Sequence, residues 1–197
     1  MSISQRSARY ARAALLTVAA TGAGLAGLLG VGGIANASTV HAHPNGYVVI
    51  DSCTGVSGKI SYSPGLRNTT LKAEHAVLTG STSGCADIFN GPESGTGTLT
   101  AVLSGTASKA SENFSGTFTI NWPASSGFNP SNGNLSVTES NGVENVSGTV
   151  TSGFDTGTVM AMQYVITGQT GAGTRLHPIT AQTYTNTQSL TLSRNEG

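Results

Sequence analysis

Asn113-Phe-Ser-Gly-Thr-Phe-Thr-Ile-Asn-Trp122 is the stretch that decides the fold class. Phe114, Gly116, Phe118, Ile120 and Trp122 share one parity, and Asn113, Ser115, Thr117, Thr119 and Asn121 share the other. Successive side chains of a strand point to opposite faces, so this alternation reads as a half-buried antiparallel strand. Val56-Ser-Gly-Lys-Ile-Ser-Tyr62 repeats the pattern, with Val56, Gly58, Ile60 and Tyr62 set against Ser57, Lys59 and Ser61. Further strands are read over 46–50, 74–82, 98–105, 134–139, 145–151, 156–167 and 189–193, with Gly, Pro, Asn and Ser clusters between them. About eight to ten short strands at this spacing predict an all-β domain, an antiparallel β-barrel or β-sandwich.

Three glycines lean the reading toward a barrel. Gly58, Gly116 and Gly148 each sit at an inward position between two apolar neighbours, where a missing side chain lets a strand coil and another backbone approach. Bulges in a sandwich are the alternative. Asn132-Gly133 and Asn141-Gly142 read as hairpin turns. The 156–167 segment carries apolar groups on both faces, Val159, Ala161 and Val165 against Met160, Met162, Tyr164 and Ile166. It is therefore expected to be central, or covered on its second side. Ser-Gly-Thr recurs at 94, 104, 115 and 147, but the uneven spacing excludes a repeat of fixed period.

The chain start has a different character. Arg6, Arg9 and Arg12 precede an apolar run over 13–34, and Ala35-Asn36-Ala37 supplies a small-x-small site. This pattern predicts a secretory signal peptide over 1–37. A short flexible mature N-terminus over 38–45 and a single all-β domain over 46–197 are expected to follow. Retention of the run as an anchor is the alternative; after cleavage no stable membrane span is expected, and the localisation is secreted or cell envelope.

Removing those three arginines leaves six Lys and Arg against nine Asp and Glu, a net charge of about minus three (6 − 9). Arg67 with Lys72 is the nearest approach to a basic patch, so nucleic acid binding lacks its electrostatic driving force. Cys53 and Cys85 are the only cysteines, and in an exported chain a pair reads as one structural disulfide.

Catalytic patterns are weak. No Gly-x-Ser-x-Gly elbow fits a chain without evident helices. The acids are scattered singly, with seven of the nine in or beside turns or strand ends, and they read as solvated groups. His41-Ala-His43 lies near the expected new terminus, and His75 should face away from Glu74 on the same strand. No catalytic set, metal or cofactor is predicted. Tyr62, Phe118, Trp122 and Tyr164 are candidates to line a barrel end, with Phe128 as a contact in the long loop over 123–133. A packed core accounts for the same aromatic residues. Four Asn-x-Ser/Thr sequons, at Asn68, Asn113, Asn134 and Asn145, are read as incidental.

At Ser52-Cys-Thr-Gly-Val-Ser-Gly-Lys-Ile-Ser-Tyr-Ser-Pro-Gly-Leu66 and Gly116-Thr-Phe-Thr-Ile-Asn-Trp-Pro123, the chain resembles small secreted β-rich proteins of actinobacteria. The resemblance spans the expected mature region, including Cys53 and Cys85, and implies compartment and fold class without assigning a catalytic residue. The Gly-Thr-rich strands also resemble avidin-like barrels superficially, with no motif match to their ligand pockets. The expected function is that of a non-enzymatic secreted domain binding a cell-envelope component, a protein partner or a small apolar ligand. A secreted hydrolase of envelope or environmental polymer and a structural surface protein are the alternatives.

Overall fold

The computed structural model describes residues 47–195. The expected signal peptide, the expected mature N-terminus at 38–45, His41, His43 and residue 46 lie outside the described residues. Among the described residues there are nine strands: β1 (Tyr47–Leu66), β2 (Lys72–Asp87), β3 (Gly91–Pro92), β4 (Gly97–Ser108), β5 (Ser111–Asn121), β6 (Ser131–Ser140), β7 (Val143–Ser152), β8 (Val159–Thr170) and β9 (Ile179–Asn195). Each long strand pairs antiparallel with its sequence neighbour, β2 with β4 included. β1 pairs with both β2 and β9, so eight strands close into an up-and-down barrel. β3 pairs only with the end of β2, at Ala86 and Asp87. Closure leaves no unpaired edge among the eight long strands, the arrangement that protects a sheet most fully from edge-to-edge association.

Alternation builds the barrel wall. In β4, Leu99, Ala101 and Leu103 are buried, while Thr98, Thr100, Val102 and Ser104 are exposed. In β5, Phe114, Phe118 and Ile120 are buried. An eight-stranded barrel is just wide enough for side chains to fill, and Leu78, Leu99, Phe114, Ile120, Met160, Tyr164 and Tyr184 fill this one. The outer wall carries mostly hydroxyls. That polarity is the reverse of a lipid-embedded barrel, whose outward band is apolar.

The inward glycines mark close approaches that a closed sheet demands. A Cβ on Gly116 would lie 2.0 Å from the Val102 carbonyl oxygen, within the opposing backbone. Asn141 and Gly142, with φ of 55° and 76°, make the two-residue turn between Ser140 and Val143, the left-handed geometry that this dipeptide favours. Asn132-Gly133 does not turn. It lies inside β6 at a register shift against β7, where a Cβ on Gly133 would meet the Phe118 ring at 2.7 Å.

One other expectation changes, and the central placement expected for 156–167 holds, β8 being paired with β7 and β9. The segments at 46–50 and 56–62 belong to one 20-residue strand, β1, because register shifts against β9 break the parity between them. In β8 the second face is uncovered, with Ala161 exposed and Val159 and Val165 half-buried. The sheet closes on itself, so β8 needs no second layer to be central.

Cys53 and Cys85 face each other across the β1–β2 ladder and form a disulfide, with Cα atoms 3.9 Å apart. A disulfide is consistent with an extracellular location. Among the described residues, no helix is long and apolar enough to cross a membrane.

Candidate functional site

Both ends of the barrel carry chemistry. At the end where β1 begins and β9 ends, Asp87 closes β2 and folds the next segment around its own carboxylate. Its Oδ1 accepts from Phe89 N at 2.7 Å, Asn90 N at 2.8 Å and Asn90 Nδ2 at 3.1 Å. β3 follows, and Glu93 N donates to Cys85 O at 2.8 Å. The β5–β6 loop lies alongside, with Ser125 Oγ donating to Ser94 O. Ser126 Oγ donates to Pro123 O at 2.8 Å and accepts from Phe128 N at 3.2 Å.

Between these two segments runs a groove of about 270 Å³, walled by Asn90, Glu93, Ser94, Ser125, Ser126 and Phe128 among others. Phe128 stacks on Phe154 at 3.7 Å with the planes 10° apart, and Trp122 meets Phe154 edge-on at 5.7 Å. Trp122 Nε1 donates to Ser131 Oγ at 2.9 Å, and Ser131 Oγ donates to Phe154 O at 2.6 Å. The aromatic platform is therefore pinned to the barrel top, with Phe128 as its outermost ring.

Around Glu93, which lines the groove, gather Asp51, Asp87 and Asp155. Asp51 is wholly buried, pairs with Asp87 across the ladder, and has no hydrogen-bond partner on either carboxylate oxygen. Burial, then the charges of Glu93, Asp155 and Asp87, pushes its pKa up to about 8. Burial and Asp87 raise Asp155 to about 6 against the opposing pull of Arg194. Glu93 is raised by burial and Asp87, and neither of its carboxylate oxygens has a partner.

The opposite end holds a second buried acid set. Tyr62 Oη lies 2.9 Å from Glu112 Oε1 and 2.6 Å from Gln182 Oε1. One hydroxyl proton cannot serve two acceptors, so this trio is satisfied when Glu112 carries a proton. Burial raises Glu112 to about 7 despite the Tyr62 hydrogen bond. Burial, Glu112 and Glu139 raise Glu144 to about 8. Burial, followed by the charge of Glu112, holds the Tyr62 and Tyr164 hydroxyls well above the ordinary phenol range. Glu74 Oε2 accepts from Gly65 N at 2.8 Å.

The acids are thus not the solvated groups that the sequence reading expected. Five of the eight among the described residues are buried: Asp51, Glu74, Asp87, Glu112 and Glu144. Their sequence signal is parity. Each sits two positions from an inward residue, Cys53, Ala76, Cys85, Phe114 and Val146 respectively.

The five candidate ligand-binding residues occupy different levels. Tyr62 and Tyr164 lie at the Glu112 end, 5% and 1% exposed, and Phe118 lies within the core, 2% exposed. Trp122 is buried at the groove end, and of the five Phe128 alone lines the groove. The expected opposition of Glu74 and His75 holds: Glu74 is buried and His75 is exposed, 2.9 Å from Ser104 Oγ. Among the described residues, no group of three His, Cys, Asp or Glu side chains is placed to hold a metal ion. No family model matches the chain, and no curated protein or solved structure matches it significantly.

Proposed function

We propose that the chain is a secreted, non-enzymatic binding domain whose rim groove takes a glycan unit of the cell envelope. The observation that carries this reading is the groove itself, lined by the polar residues Asn90, Ser94, Ser125 and Ser126 together with one aromatic ring, Phe128. A sugar ring offers apolar C–H faces to an aromatic plane and hydroxyls to polar walls, and this lining suits both. Phe154 stacks on Phe128 and fixes the plane that the ring presents to the groove. The filled interior argues against a small apolar ligand held inside the barrel. The disulfide, the signal-like chain start and the resemblance to small secreted actinobacterial proteins support export.

Hydrolysis of an envelope or environmental polymer is the second reading, drawn from the raised carboxyls of Glu93 and Asp155 beside the groove. Binding ranks ahead because both Glu93 carboxylate oxygens are buried, whereas glycoside hydrolysis needs two carboxyl groups flanking the bond. Titration calorimetry with soluble oligomers of N-acetylated hexosamines tests both. Phe128→Ala is expected to weaken binding about tenfold with an unchanged thermal midpoint. Absence of binding at millimolar sugar, or full affinity in the variant, would overturn the glycan reading. New reducing ends in the titrated mixture would favour the hydrolase.

A further inference from the structure

The end of the barrel opposite the groove gathers charge that the sequence disperses. Six Lys and Arg lie among the described residues, and four of them, Arg67, Lys72, Lys109 and Arg175, fall in or beside its loops. Backbone hydrogen bonds join these loops into one surface. Lys109 N donates to Arg67 O at 2.8 Å, and Asn68 N donates to Gly173 O at 2.8 Å. Lys72 pairs with Ala107 at the adjoining ladder end. The turn carrying Arg175 is closed on itself, Thr174 N donating to His177 O at 3.2 Å and His177 N to Thr174 Oγ1 at 3.1 Å. Arg175 and Leu176 therefore stand at its tip.

Apolar groups share this rim. Leu176 is 84% exposed and Leu71, in the neighbouring loop, is 57% exposed. The acids of this end offset only part of that charge. Glu74, Glu112 and Glu144 are buried, and half-buried Glu139 accepts Gly142 N at 2.9 Å. The rim therefore sets Arg67, Lys72, Lys109 and Arg175, with two exposed leucines, against the one surface carboxylate of this end among the described residues, Glu139.

We propose that this rim docks on a bilayer surface containing anionic phospholipid. A dissolved polyanion would engage the cations and leave Leu71 and Leu176 in water. A bilayer surface engages both, since headgroup charge attracts Lys and Arg while the acyl boundary takes up apolar side chains. The opposite end carries Asp87, Glu93 and Asp155 against the single cation Arg194, so the uneven charge favours the orientation with the glycan groove away from the lipid. Docking stands on its own observations and survives if that groove binds nothing.

The test is co-sedimentation of residues 38–197, since the strands over 47–195 close the barrel among themselves. Vesicles of phosphatidylcholine alone are compared with equal parts phosphatidylcholine and phosphatidylglycerol. Binding is expected on the anionic vesicles only and should decline with added salt. Leu71→Ser with Leu176→Ser is expected to lower partition about tenfold, as is Lys109→Gln with Arg175→Gln. Val102→Ser, which alters an exposed apolar residue on the barrel wall (62% exposed), should leave partition unchanged. Equal partition on neutral vesicles, or none on anionic ones, would overturn the proposal. So would duplex DNA binding as tight as vesicle binding and indifferent to the leucine changes, which would mark a general polyanion surface.

Discussion

Asp51 shows how a closed barrel treats the last residue of an inward row. Its parity with Cys53 was legible in the sequence, but its burial was not, because a carboxylate is taken as solvated unless something forces it inside. The force is closure: β1 is flanked by β2 and β9, so an inward side chain near the rim has no open edge through which to reach water. The same holds for Glu112 beside Phe114 and Glu144 beside Val146. The folded pKa of Asp51, about 8, stands well above its ordinary 3.8. The stabilising neutral form is therefore fully present below about pH 4 and lost as pH rises through 8. At about 1.4 kcal/mol per unit, ionising it in place costs several kcal/mol. Asp51→Asn is expected to raise the thermal midpoint at pH 9 by about 5 °C or more relative to the parent, with little difference at pH 4. Circular dichroism melts at the two pH values check this, and an equal shift at both would refute the buried neutral acid.

Elements differ in how plainly the sequence shows them, and the reasons are local. β4 and β5 are plain because their inward positions are apolar or glycine, Glu112 at the start of β5 excepted, and most outward ones are polar. β9 was read only over 189–193, since its earlier half, Ile179-Thr-Ala-Gln-Thr-Tyr-Thr-Asn186, is mainly threonine and amide. Hydrogen bonding to β1 and β8 on either side holds that half in the sheet. Asn141-Gly142 gave its turn, while Asn132-Gly133 was absorbed into β6, where close packing under Phe118 outweighed the local preference. The disulfide was read from cysteine count alone, yet its role is positional: it ties β1 to β2 near the groove end. Closing a loop of this length stabilises the fold by about 3–4 kcal/mol in the chain-entropy account. Cys53→Ala with Cys85→Ala should lower the thermal midpoint by about 10 °C in scanning calorimetry. A drop under about 3 °C would mean that the hydrogen-bonded seam suffices without it.

On the scale of the whole molecule, function is displaced from the lumen to the rims. Aromatic residues that the sequence grouped as one pocket, Tyr62, Phe118, Trp122 and Tyr164, are distributed along the barrel and packed within it. Strand parity reveals which side of the wall a residue faces, whereas its height in the barrel depends on register, which no single strand encodes. The rim groove was legible only as a long loop with Phe128 in it. The segment from Asn90 to Ser94 that completes it comes from another part of the chain. The charged rim at the far end was invisible for the same reason, being assembled from three separate loops. Mapping backbone amide NMR shifts during titration with the hexosamine oligomers tests the rim site most directly. Changes are expected at Asn90–Ser94 and Ser125–Phe128, with Tyr62, Phe118 and Tyr164 unmoved; shifts centred on those three interior residues would place the ligand inside the barrel and contradict a rim site.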